Sequence, residues 1–109
     1  MRDVSAQPTA AANSAAPPPL ADFTTLRLGG APRRLITVTH RDEIVQRIQE
    51  VARQAEPLLI LAGGSNVVIG DAGFPGTALL VRSRGARVVA EDAETVTLRV
   101  EAGEPWDDL

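Results

Sequence analysis

Between Leu61 and Gly70 the chain reads LAGGSNVVIG, two glycines, a serine and an asparagine set between apolar runs. A bare backbone at that point can turn several N–H groups into one concavity, and Ser65 and Asn66 add side-chain donors without a formal charge. Such a nest suits a phosphate or a pyrophosphate, with Gly64 as the residue whose missing Cβ lets that group come close. Two common phosphate loops do not fit the spacing. A P-loop needs a Lys followed by Ser or Thr after its last glycine, and the dinucleotide fingerprint needs a helix to begin inside the glycine run. No lysine is near Gly63-Gly64, and Gly70, Gly73, Pro75 and Gly76 follow, all helix-breaking, so the pattern is strand, loop, strand. A plain tight turn is the other use of a glycine pair, and the residues alone leave both open.

The remaining polar residues carry less. His40 falls between a strand and a helix with no nucleophile or second ligand in view, which reads as an ordinary loop position. Asp107 and Asp108 are adjacent, so they face different directions on a helix, and a first turn favours negative charge in any case. Arg82, Arg84 and Arg87 flank Gly85 in a turn between strands; they read as a solvated turn, with approach to a cofactor phosphate as the alternative. Trp106 is expected to pack the start of the last helix against the preceding hairpin.

The elements that must position the glycine loop are legible from periodicity. Arg34 to Val38 is rich in branched apolar residues and predicts a strand. Thr39, three residues before Asp42, resembles a capping box, and Asp42 and Glu43 suit a helical first turn. From Asp42 to Ala55 the apolar residues Ile44, Val45, Ile48, Val51, Ala52 and Ala55 follow helical spacing, and Pro57 ends the helix. Leu58 to Ala62 is a continuous apolar run, as expected of a strand buried on both faces. The unit is βαβ, with the two strands parallel neighbours and the glycine pair at the carboxyl end of the second, where open α/β sheets place ligands. Residues 86–103 alternate as a hairpin, and Pro105 is expected at the first position of a further helix.

Composition bounds the rest. The chain has 109 residues, a formal net charge of -3, no cysteine, one histidine and one tryptophan. It is one domain at most, without disulfides or thiolate metal sites, and no metal site is expected. The eleven basic residues are scattered among fourteen acidic ones, which argues against a nucleic-acid partner. Residues 1–20, rich in Ala and Pro, cannot bury enough apolar side chain to order themselves and are expected to be a disordered extension. Pro8 and Pro17-Pro18-Pro19 interrupt any signal or membrane-spanning segment, so a cytoplasmic protein without a membrane partner is expected.

Three stretches in order, TTLRLGGAP (24–32), LAGGSNVVIGDAGFPG (61–76) and VEAGEPWDDL (100–109), resemble the N-terminal part of the UDP-N-acetylenolpyruvoylglucosamine reductase (UDP-N-acetylmuramate dehydrogenase) family. The resemblance covers essentially everything after residue 20. It implies an α+β fold, a βαβ subdomain of α/β type followed by a β-hairpin, forming over residues 21–109 the incomplete N-terminal portion of an FAD-binding domain. That domain is of the type shared by p-cresol methylhydroxylase and vanillyl-alcohol oxidase (PCMH/VAO type). The middle stretch is similar to the family's flavin pyrophosphate loop, with Ala62 standing where a first glycine is usual. Carried over, Ala62, Gly63, Gly64, Ser65 and Asn66 hold the pyrophosphate, Val67 and Val68 lie against the cofactor, and Gly76 is a further neighbour. Gly29 and Gly30 are backbone-geometry residues.

The reaction implied is reduction of the enolpyruvyl double bond of a UDP-sugar, with NADPH as reductant and FAD as carrier, to give UDP-N-acetylmuramate for peptidoglycan. The cofactor supplies the redox chemistry, and the protein supplies orientation and a proton. The family's proton-donating serine and its stabilising arginine and glutamate match no residue of this chain, so no catalytic residue is assigned. A helix begun at Pro105 and ended at Leu109 has little beyond its nucleus, and a truncated, by itself inactive portion of the enzyme is therefore expected. The alternatives are a flavin- or nucleotide-binding module without turnover, and another FAD oxidoreductase of the same fold. The oligomeric state is not legible.

Overall fold

The computed structural model describes residues 16–109. Five strands and one α-helix follow in the order β1 (Pro32–Val38), α1 (Arg41–Arg53), β2 (Leu58–Leu61), β3 (Phe74–Val81), β4 (Ala86–Glu91) and β5 (Val96–Val100). Short 3-10 turns at Leu20–Phe23 and Trp106–Asp108 flank them. Residues 1–15 of the expected extension lie outside the described residues. Its last residue, Leu20, is buried at 0 % exposure.

β1, β3 and β2 form a parallel three-stranded sheet in that spatial order. β1 and β2 are thus parallel, as the βαβ pattern predicts, but they are not neighbours: β3 lies between them, pairing Leu35 with Ala78 on one side and Leu59 with Ala78 on the other. Periodicity specifies which residues form a strand and not which strand pairs with which, and β3 is the most continuously buried of the three, from Gly76 to Val81. Consequently β2 is an edge strand. It was expected to be buried on both faces, yet Ile60 is 53 % exposed, because only one of its backbone edges and part of its side-chain faces are covered. The run Val67 to Gly70 forms no strand; the chain from 62 to 73 makes the parallel crossover from β2 to β3 without a helix.

Alternation along β3 divides the core in two. On one face Leu79 and Val81 pack with Val38 and with Ile44 and Ile48 of α1. On the other, Ala78 and Leu80 pack with Leu20, Leu61 and Ile69, with Phe23 and Val67 at the margin. The helix covers the first face, as its amphipathic spacing requires. The N-terminal turn and the β2–β3 connection cover the second, so the glycine loop is anchored at both its ends by buried apolar side chains.

α1 starts and stops differently from the sequence expectation. Its N-cap is His40, without a side-chain cap bond, while the Glu43 carboxylate accepts the Thr39 N–H at 3.1 Å. Only the acidic half of the expected box forms, displaced by one residue. The helix ends at Arg53, before Pro57 can act: Ala55 takes a left-handed φ of 53°. The Ala55 N–H then bonds the Ala52 carbonyl at 3.1 Å and the Glu56 N–H bonds the Val51 carbonyl at 3.3 Å, a Schellman closure.

β4 and β5 form the expected antiparallel hairpin. In its turn the Asp92 carboxylate accepts the N–H groups of Glu94 at 2.9 Å and Thr95 at 2.8 Å, and these bonds hold its pKa below the ordinary aspartate value. Every residue of both strands is exposed. Trp106 does not pack on the hairpin; it is 83 % exposed, and Pro105 precedes the turn in an extended conformation with ψ 135° instead of occupying its first helical position.

Candidate functional site

The parallel sheet brings the ends of β1, β2 and β3 (Val38, Leu61 and Val81) to one edge. The Ala62–Asn66 loop leaves from that edge directly after β2. Two of its carbonyls are tied inward. Arg82, just past β3, donates Nη1 to the Ala62 carbonyl at 2.6 Å and to the Val81 carbonyl at 3.2 Å. The Thr25 N–H donates to the Gly64 carbonyl at 3.0 Å. Among the described residues, the N–H groups of Gly63, Gly64, Ser65 and Asn66 donate to no protein acceptor. Carbonyls held in and N–H groups left over are what a backbone anion nest requires.

The two glycines play different parts. A Cβ on Gly63 would meet nothing within 4 Å, so a ligand can approach there. Gly64 has φ 70°, and a Cβ on it would run into the Phe23 carbonyl and the Thr24 Cα. The close approach that Gly64 permits, expected to be toward a pyrophosphate, is toward the protein's own N-terminal segment. Ser65 and Asn66 are exposed beside Gly63. The valines part company: Val67 is half-buried against the core, whereas Val68 is 73 % exposed and the one free to meet a cofactor.

Gly76 is not brought to this loop. It is a buried residue near the start of β3, where a Cβ would run into the Pro57 carbonyl, at the amino end of the sheet and about a strand length away. Its lack of a side chain is explained by that packing. The residue that sequence reasoning undervalued is Arg82, read as part of a solvated turn. Its position directly after a strand parallel to β2 was the available signal, usable only once β3 was known to lie beside β2.

Arg84 does behave as a turn residue, paired with Glu104 at 3.4 Å and Asp108 at 3.8 Å. His40 bonds the exposed Thr39 Oγ1, its neighbour in the chain, through Nδ1 at 2.9 Å. No helix among the described residues is long and apolar enough to cross a membrane.

A family profile described as "FAD binding domain" matches residues 32–109, a span that contains the whole loop. The chain is similar to UDP-N-acetylenolpyruvoylglucosamine reductase of Salinispora arenicola, with 60 % identity over 90 residues, 83 % of this chain and 25 % of that protein. It is similar to the proteins of the same name in Leifsonia xyli, 44 % identical over 93 residues, 85 % of this chain and 25 % of that protein, and in Thermobifida fusca, 45 % identical over 89 residues, 82 % of this chain and 25 % of that protein. The chain spans about a quarter of the length of these relatives.

Proposed function

The chain belongs to the FAD binding domain family, and on that footing we propose that its Ala62–Asn66 loop holds the flavin pyrophosphate in an NADPH-dependent UDP-N-acetylenolpyruvoylglucosamine reductase of the cytoplasm. The enzyme would form UDP-N-acetylmuramate for peptidoglycan. The observation that carries the reading is the loop itself: spare N–H groups on a backbone whose carbonyls Arg82 and Thr25 hold inward, with open space at Gly63. Those features fit a pyrophosphate.

In this reading the chain's residues bind and orient. Gly63 and Gly64 present N–H groups to the diphosphate oxygens, Ser65 and Asn66 add donors at the rim, and Val68 offers an apolar contact. Arg82 acts at one remove, fixing the loop through the Ala62 carbonyl. FAD, once bound, supplies hydride transfer between NADPH and the enolpyruvyl sugar. The proton donor and the substrate's carboxylate partners belong to the part of the relatives that this chain does not span.

The test is an FAD titration of the intact protein against its Gly63→Asp variant. The new carboxylate enters open space, so circular dichroism and the melting temperature should hold. It would stand against a bound pyrophosphate at about 4 Å, where like charges cost on the order of 4 kcal/mol at an effective dielectric of 20. Affinity should fall at least a hundredfold; unchanged affinity in a folded variant would remove the loop from the flavin site.

A further inference from the structure

A second group of charges lies at the same end of the sheet, and of its members Arg82 alone also serves the loop, through the Ala62 carbonyl. A cleft of about 620 Å³ opens between the start of α1 and the hairpin, lined by Arg41, Arg82, Arg84, Arg87 and Arg99 with a single carboxylate, Glu101. Five of the eleven basic residues of a chain with net charge -3 meet there. A smaller hollow that shares Arg41, Arg99 and Glu101 extends it toward Ser83.

The arrangement runs against local stability at two separate points. Arg87 and Arg99 are direct cross-strand partners in the hairpin, and like charges placed opposite one another destabilise an antiparallel pair. Arg41 is the first residue of α1, where the helix macrodipole disfavours a cation. Among the described residues, Arg84 is the only one of the five arginines with a carboxylate partner. Charges set against strand pairing and helix dipole alike, and converging on one concavity, are relieved together by an anion in that concavity. Guanidinium groups favour phosphoryl oxygens, which they bind in a bidentate fork.

We infer that this cleft is a binding site for the phosphoryl group of a second, separate ligand, a diphosphate or larger polyphosphate, alongside the one held on the glycine loop. The inference does not depend on the flavin reading, since no loop N–H group lines the cleft. Volume supports a ligand larger than a single phosphate, as the space falls within the usual range for small-molecule sites.

The experiment measures melting temperature and calorimetric affinity of the intact protein with inorganic phosphate, pyrophosphate and ADP, against sodium chloride at matched ionic strength. Pyrophosphate should raise the melting temperature above the chloride control. The double variant Arg87→Thr/Arg99→Thr should bind pyrophosphate at least tenfold more weakly while melting, without ligand, no lower than the wild type, because it removes a repulsive pair. Tighter binding of ADP than of pyrophosphate would identify the ligand as a nucleotide, and equal binding would identify it as a free polyphosphate. Because the loop is itself proposed to take a pyrophosphate group, the titration is repeated in Gly63→Asp: a pyrophosphate response that persists there and is lost on adding Arg87→Thr/Arg99→Thr belongs to the cleft, which separates this site from failure of the flavin reading. A response no greater than that to chloride, a double variant that responds like the wild type, or a response abolished by saturation with FAD would each overturn the inference.

Discussion

The two ends of the parallel sheet are built from similar materials and used in opposite ways. At the amino end, Glu56 has a side chain only 8 % exposed and pairs with both Arg33 and Arg34. The fully buried Thr77 donates its hydroxyl to the same carboxylate and accepts Arg34 Nε at 3.2 Å. Arg34 also reaches Gln54 at 3.3 Å. Charges there are answered by protein, and the space beside Gly76 is filled by Pro57. At the carboxyl end, the loop N–H groups and the side chains of Arg41, Arg87 and Arg99 have no protein partner among the described residues, and open space lies at Gly63. Groups that are satisfied internally hold the fold together, and groups left unsatisfied in a concave place are available to a ligand. A glycine or an arginine therefore says little until its surroundings show which end it serves.

The sharpest way to break the comparison lies within the glycine pair. Gly64→Asp forces a Cβ against the Phe23–Thr24 backbone at a left-handed φ of 70°. Strain at such a φ costs about 1–3 kcal/mol and overpacking a similar amount, a large share of the roughly 5–15 kcal/mol that stabilises a domain. The variant should melt far below the wild type or fail to fold. Gly63→Asp should fold and lose FAD. If both variants fold and only Gly64→Asp loses the cofactor, the roles assigned to the two glycines are reversed.

Next in size is Glu56→Ala. It leaves the buried Thr77 hydroxyl without its acceptor and two guanidinium groups without their anion. Both arginines are largely exposed, so water recovers part of the loss, and stability should fall by about 1–3 kcal/mol in a denaturant titration. FAD affinity should not move. A lost affinity at equal folded fraction would show that the amino end also serves the ligand.

Arg82→Ala should act in the reverse sense. It frees the Ala62 carbonyl, so the loop must be ordered when the ligand binds; FAD affinity should drop about tenfold, equivalent to roughly 1.4 kcal/mol, with a smaller change in melting temperature. Arg82→Lys should recover part of it, since an ammonium can still reach one carbonyl. Full FAD affinity in Arg82→Ala would make that hydrogen bond irrelevant to the site.

Much of this was legible in the sequence, and the failures share a cause. β1, α1, β2 and the hairpin follow from side-chain periodicity, and the glycine loop falls after β2 as the apolar run predicts. Pairing order is not periodic, so the insertion of β3 between β1 and β2 was invisible, and with it the contact of Arg82 with Ala62 and the edge position of β2. Leu20 is a single leucine behind three prolines, and nothing local marks it as core. The arginine cleft gathers Arg41, Arg87 and Arg99 from three elements, so charge that looks scattered along the chain is concentrated in space. Trp106 misled because an aromatic residue beside a hairpin usually packs on it, whereas here the hairpin and Trp106 are both exposed.

The smallest predicted effect tests whether the amino end is purely structural. Ala55 closes α1 in the left-handed region at φ 53°, a conformation that costs a non-glycine residue about 1–2 kcal/mol. Its neighbours need that conformation, because the closing bonds from Ala55 to Ala52 and from Glu56 to Val51 depend on it, and the second of them helps place the Glu56 carboxylate under Arg33 and Arg34. Glycine removes the steric cost but gives the unfolded chain more freedom, which returns about 0.4–1 kcal/mol. The net gain for Ala55→Gly should be about 0.5 kcal/mol, a rise of roughly 2–4 °C in melting temperature for a domain of this size. FAD affinity and the pyrophosphate response should both stay at wild-type values. A lower melting temperature would mean that the Ala55 methyl group makes a contact worth more than its strain. A changed ligand response would mean that the two ends of the sheet are coupled through α1, whose first residue, Arg41, lines the cleft.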